Sequence, residues 1–276
     1  MNRDELRLRI GASRFARAAA LPPRLGAVAR FNGKNLAESA RWLATSREHT
    51  NYTYDLTDLN LEHLSWFVAR VSGRPIADAK DALSEIALDS RLVHQLQVAV
   101  RSSPRRGLMD QSVRLGRRMG WYALVRLLEP QHVVETGTDK GLGTCVLAAA
   151  VLRNGRGSVT TIDINPASGS LIVEPYGSVV DRRIGDSIEI LASLADVDFF
   201  IHDSDHSASY ESRELAAVTP TLTARATVLS DNSDATNVLA TWAAEHGRVF
   251  DFFAEDPSRH WFPGGGIGAA VASAKG

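Results

Sequence analysis

Two short stretches concentrate the side chains best suited to proton and cation chemistry: His202-Asp203-Ser204-Asp205-His206 and Asp231-Asn232. Each follows a compact apolar run, Val197 to Ile201 and Thr227 to Leu229. If those runs are strands of one sheet, three carboxylates and an amide oxygen meet at its carboxyl edge, where such folds bind ligands. Repulsion makes that gathering costly without a cation. Hard oxygen donors with a histidine nearby suit Mg²⁺ or Mn²⁺ better than zinc. The plainer alternative has Asp203 and Asp231 capping loops while Asp205 and His206 face solvent.

A third stretch, Glu135-Thr136-Gly137-Thr138-Asp139-Lys140-Gly141-Leu142-Gly143-Thr144, follows an apolar run beginning at His132. Its glycines permit a tight turn and close approach of backbone to a ligand. The spacing is GxxxGxG and not the GxGxxG of dinucleotide enzymes, which disfavours a dehydrogenase. The next apolar run, Ser158 to Ile162, ends in Asp163, where a doubly wound fold places the carboxylate that holds a ribose diol; a turn cap is the alternative. Gly185-Asp186-Ser187 opens a helix, with Asp186 placed as an N-cap.

Elements of two kinds must position these groups. Before Pro130 the pattern is helical, with Leu59, Leu61, Leu64, Phe67, Val68 and Val71 at one helical spacing and Ile86, Leu92, Val93, Leu96 and Val100 at another. A turn over 101–107 precedes a helix expected from Met109 to Leu128. After Pro130, strands at His132 to Glu135, Ser158 to Ile162, Val179 to Arg183, Val197 to His202 and Ala226 to Leu229 alternate with helices. The alternation predicts an α/β fold, a doubly wound, mainly parallel seven-stranded sheet. Val249 to Phe253 and Ile267 to Val271, joined without a helix, are expected as an antiparallel edge hairpin. The expected domains are a helical region over 1–128 and a ligand-binding domain over 129–276.

Composition narrows the classes. The chain has 276 residues, 44% hydrophobic and 23% charged, as in ordinary globular proteins. Lys plus Arg number 31 against 32 for Asp plus Glu, so no global positive field favours nucleic acid. No apolar run approaches the ~20 residues that span a bilayer. One cysteine, Cys145, forms no internal disulfide and reads as a small buried apolar residue. These features suggest a cytoplasmic protein with neither nucleic-acid nor membrane partners. Arginines recur through the first thirty residues, but Asp4 and Glu5 argue against a transit peptide, and a helix from Asp4 to about Ala20, ended by Pro22 and Pro23, is expected.

The chain from Val133 to about Val271 resembles the class I S-adenosylmethionine-dependent methyltransferases. Glu135 to Gly143 matches their glycine loop, Asp163 their ribose acid and Asp186-Ser187 their adenine-proximal pair. More narrowly, Ile201 to Tyr210 with Asp231-Asn232 is similar to the metal-dependent small-molecule O-methyltransferases of the catechol, caffeoyl-coenzyme A and macrocin types. The resemblance implies S-adenosylmethionine bound near Glu135, Gly137, Thr138, Asp139, Gly141, Gly143, Thr144, Asp163, Asp186, Ser187 and Asp203. It implies Mg²⁺ or Mn²⁺ on Asp203, Asp231 and Asn232, and Asp205 or His206 as base. Ser204 stands where the family usually has Gly, and Tyr210 lies further along than its usual Tyr. The implied activity is O-methylation of a small molecule, a sugar or a phenol, as in secondary metabolism. Metal-independent O- or N-transfer with His206 as base is an alternative, as is a catalytically silent binding module. Tyr52, Tyr54, His260 and Trp261 are candidate acceptor contacts. The amphipathic N-terminal half suits a homodimer interface as readily as a substrate cap.

Overall fold

The computed structural model describes residues 16–49 and 52–273, and compactness divides it into two units. The smaller comprises the described residues up to Ser46 together with Arg259–Trp261; the larger comprises Arg47–Ser258 and Phe262 onward. The division therefore falls near residue 46 and not at 128. The reason is that the helices between Asp58 and Leu128 share one apolar core with the sheet, Leu64, Phe67, Leu96 and Trp121 packing in the same cluster as Val133 and Phe199.

In the smaller unit, helix α1 (Leu21–Thr45) carries Pro22 and Pro23 in its first turn. A short helix, Ala16–Ala19, ends just before them as expected, and the prolines also open the next helix, because proline's fixed φ suits a first turn, whose N–H groups need no intrahelical partner. Most of the expected helix from Asp4 lies outside the described residues.

In the larger unit the sequence stripes become helices α2 (Asp58–Ser72), α3 (Ile76–Ala87), α4 (Ser90–Ser102) and α5 (Arg118–Leu128). Asp89 separates α3 from α4 because its carboxylate caps the Leu92 N–H at 2.8 Å. The helix expected from Met109 begins only at Arg118, since Val113 and Gly116 both take positive φ.

The sheet contains β1 (His132–Thr136), β2 (Ser158–Asp163), β3 (Val180–Ile184), β4 (Val197–His202), β5 (Leu222–Asp231), β6 (Arg248–Ala254) and β7 (Gly266–Ala272), in the order β3-β2-β1-β4-β5-β7-β6. The first five run parallel, while β7 is antiparallel to both β5 and β6. The expected hairpin forms, with β7 inserted inside the edge strand β6. Helices α6 (Leu142–Asn154), α7 (Ser187–Ala192), α8 (Ala208–Val218) and α9 (Val238–Glu245) complete the layers. Strand residues alternate between two cores: Val133, Phe199, Ile201 and Leu229 join the α2–α6 side, while Val134, Phe200, Val228 and Ala270 join the side of α8 and α9. Burial on both faces explains why these strands read as unbroken apolar runs.

Candidate active site

Parallel strands all present their carboxyl ends to one edge. Register places Thr136 opposite both Ile162 and His202, and His202 opposite Ser230, so the loops after β1, β2, β4 and β5 open together. There an open cleft of about 570 Å³ is lined by Gly137, Asp139, Asp163, Ser187, Asp203, Asp205, His206 and Tyr210, among others. Its size is that of a small-molecule site.

Gly137 fixes the close approach of two of these loops. Its φ is +91°, and a Cβ there would lie 1.9 Å from the carbonyl oxygen of Asp203. Asp163 accepts from the backbone N–H groups of Asp139 and Asn165, each at 2.8 Å. A carboxylate has about four acceptor positions, so capacity for a diol remains.

Several expected cofactor residues serve the loop from behind. Glu135 is buried, accepts from Thr161 Oγ1 at 2.7 Å and from Thr144 Oγ1, and is pushed up to about 7 by burial. Asp186 caps α7 through the Ile188 N–H at 2.8 Å. Thr138, Gly141, Gly143 and Thr144 do not line the cleft. Ser187 does, sharing a hydrogen bond with Tyr210 Oη at 2.9 Å and donating to Glu214.

Of the two candidate bases the geometry favours His206. Asp205 is exposed, accepts from the Ser207 N–H at 2.9 Å and is held below the usual carboxylate range by that bond. His206 lies 3.8 Å by Nε2 from Asp203 Oδ1, and its Nδ1 is buried with no hydrogen-bond partner among the described residues. Burial lowers its pKa, leaving the imidazole neutral and able to accept a proton at pH 7. Cys145 is buried, with its thiol raised to about 12 by burial, and is no nucleophile.

The expected metal set assembles only in part. Asp203, His206 and Asp231 each offer a ligand atom within 4.8 Å of one another. Asn232 adopts positive φ, with its amide oxygen 2.6 Å from where a Cβ on Gly265 would stand. The decisive neighbour is Arg117, unforeseen in the sequence, whose Nε and Nη2 take both oxygens of Asp231. Burial would raise the Asp231 carboxyl, but the guanidinium overrides it and holds it below the ordinary range. Burial and the charge of Asp231 hold Asp203 well above that range. Both Asp231 oxygens are thus engaged by a fixed cation, with which a divalent ion would have to compete.

Tyr54 belongs to this network and is not an exposed acceptor contact: it is 2% exposed, donates to Glu255 Oε2 at 2.7 Å and accepts from Arg117 Nη1 at 3.2 Å. Tyr52 is half-buried against Phe262, ring centroids 5.4 Å apart. His260 and Trp261 pack with Trp42 in the smaller unit, at 6.3 and 5.5 Å between centroids. Sequence reading also missed Glu214, fully buried, which accepts from Thr136 Oγ1 at 2.7 Å and pairs with His202 Nδ1 at 2.6 Å. Its signal was available, since Glu211 and Glu214 fall on the face of α8 that carries Leu215 and Val218.

Residues 134–233 match a family described as "Methyltransferase domain". That segment is similar to a methyltransferase domain. The fold is similar to that of the O-methyltransferase TomG from Streptomyces achromogenes, a structure in complex with SAM, at 16% identity and TM-score 0.51 over 67% of this chain and 91% of that one. It is also similar to the cofactor-bound protein Rv0187 from MTB, at 16% identity and TM-score 0.52 over 72% and 98%. At such identities the likeness is one of fold. No curated protein matches the chain in sequence. Among the described residues no helix is long and apolar enough to cross a membrane.

Proposed function

We propose that the protein is an S-adenosylmethionine-dependent O-methyltransferase acting on the hydroxyl of a small molecule, a sugar or a phenol of secondary metabolism, in the cytoplasm. The observation that carries this reading is the meeting, in one cleft, of the glycine loop and Asp163 with an imidazole that is neutral and unpaired on one nitrogen.

The donor set suits the cofactor. Asp163 has acceptor capacity for ribose hydroxyls, the loop from Gly137 to Asp139 brings backbone to the cleft, and Ser187 and Tyr210 border the adenine side. S-adenosylmethionine, when bound, supplies the activated methyl group and its own leaving group. The chain's task is to hold an acceptor oxygen in line and to take its proton. His206 is the group placed to take it, with its Nε2 3.8 Å from Asp203 Oδ1. The Mg²⁺-assisted route expected from the resemblance is disfavoured by the Arg117 fork on Asp231.

Calorimetric titration of S-adenosylmethionine and S-adenosylhomocysteine into the whole protein, with Mg²⁺ and then with a chelator, tests the reading. Binding in both conditions is expected, followed by mass-detected methylation within a panel of catechols and sugars. Absence of binding in both would overturn it and return the glycine loop to a structural turn.

A further inference from the structure

We propose that Arg117 is the resident cation of the carboxylate edge, standing where a divalent ion would neutralise Asp203 and Asp231, so that this site works without metal. The inference rests on the reading of the cleft as a methyl-transfer site.

Three observations carry it. The first is occupancy: the guanidinium engages both Asp231 oxygens, with the two side chains 8% and 0% exposed. A planar fork on a carboxylate is directional and desolvated, unlike a surface ion pair that exchanges with solvent ions.

The second is that the chain is built to hold the guanidinium there. Arg117 Nη1 donates to Tyr54 Oη at 3.2 Å and lies 3.7 Å from Glu255 Oε1. Tyr54 and the Gly265 N–H both donate to Glu255 Oε2, at 2.7 and 2.9 Å. A short antiparallel ladder, Asp55↔Ser258 and Leu56↔Pro257, sets the two chain segments in register. At Gly116, φ +49°, a Cβ would approach the carbonyl of Tyr54 to 2.9 Å, so the residue before Arg117 must lack one.

The third is charge. Arg117 and Arg118 are buried beside Asp231 and Glu255, two positive groups against two negative. A divalent ion would add two positive charges to this balanced set and stand against a buried guanidinium at short range, where repulsion is weakly screened. Arg117 is thus a positioning residue: it fixes Asp231, which with Asp203 forms the wall against which His206 sits.

The test is a titration of Mn²⁺ into the whole protein, with S-adenosylhomocysteine present, read by the paramagnetic resonance of free Mn²⁺. The wild-type chain is expected to bind with a Kd of about 1 mM or weaker. Arg117→Met, which keeps length and removes charge, is expected to bind one Mn²⁺ about tenfold tighter or better, a gain that a merely structural role would not produce. Calorimetry with S-adenosylhomocysteine on the same samples reports on the cleft separately. If that ligand fails to bind, the methyl-transfer reading fails while the Mn²⁺ titration still judges Arg117. Tight stoichiometric Mn²⁺ binding by the wild type, lost in Asp231→Asn, would overturn the inference, as would a folded Arg117→Met without the gain. Should Arg117→Met not fold, the wild-type titration decides alone.

Discussion

At the scale of single residues, the chemistry divides between groups that face the cleft and groups that hold them. Asp163 is of the first kind, half-buried with two backbone donors already engaged and acceptor positions remaining. Asp163→Ala is expected to weaken S-adenosylhomocysteine binding by ~1.5 to 3 kcal/mol, the usual worth of a hydrogen bond to a charged group. Unchanged affinity by calorimetry would remove Asp163 from the ribose role. His206 makes a prediction about pH. Because burial depresses its pKa, the base form persists to more acid pH than for a free histidine, and the acid limb of kcat/KM belongs below the ordinary 6.5. A limb above that value would name another base. Replacing His206 by Asn should cost about 10² to 10⁴ in turnover, the range of general-base catalysis. Asp205, adjacent in sequence, is the weaker base of the two, because it is exposed and the Ser207 N–H lowers its basicity further.

At the scale of elements, most of the architecture was legible because period and punctuation agreed. Apolar runs of four to six residues ending in Asp163, His202 and Asp231 are strands whose last residues reach the edge. The stripe from Ile86 to Val100 belongs to two helices because a side-chain cap at Asp89 interrupts one apolar face without changing it. The segment before Arg118 was misread for a related reason: Val113 at positive φ is set by tertiary packing against its intrinsic preference. The glycine loop offers the sharpest test at this scale. Gly137→Ala places a methyl group against the backbone of Asp203, which no side-chain rotation relieves, on a residue already at φ +91°. Loss of S-adenosylhomocysteine binding together with a lowered melting temperature is expected. A variant that binds and melts like the wild type would show that the two loops are less tightly apposed.

At the scale of the whole molecule, a sheet buried on both faces and the helices α2 to α5 packed on one of them bring together residues that no local window joins. Arg117 reaches Asp231 across 114 positions, and Tyr54 reaches Glu255 across 201. The sequence by itself determined the strand and helix order, the glycine loop, the acid that closes the second strand and the histidine-bearing edge. Each of these is a local pattern, fixed by side-chain period or by backbone that only glycine adopts. It did not determine the partner of Asp231. A carboxylate at a strand end satisfies a metal or a guanidinium equally well by its own chemistry. The choice between them depends on which charge the fold buries within reach, and only the packing of Arg117 beneath Tyr54 and Glu255 decides that.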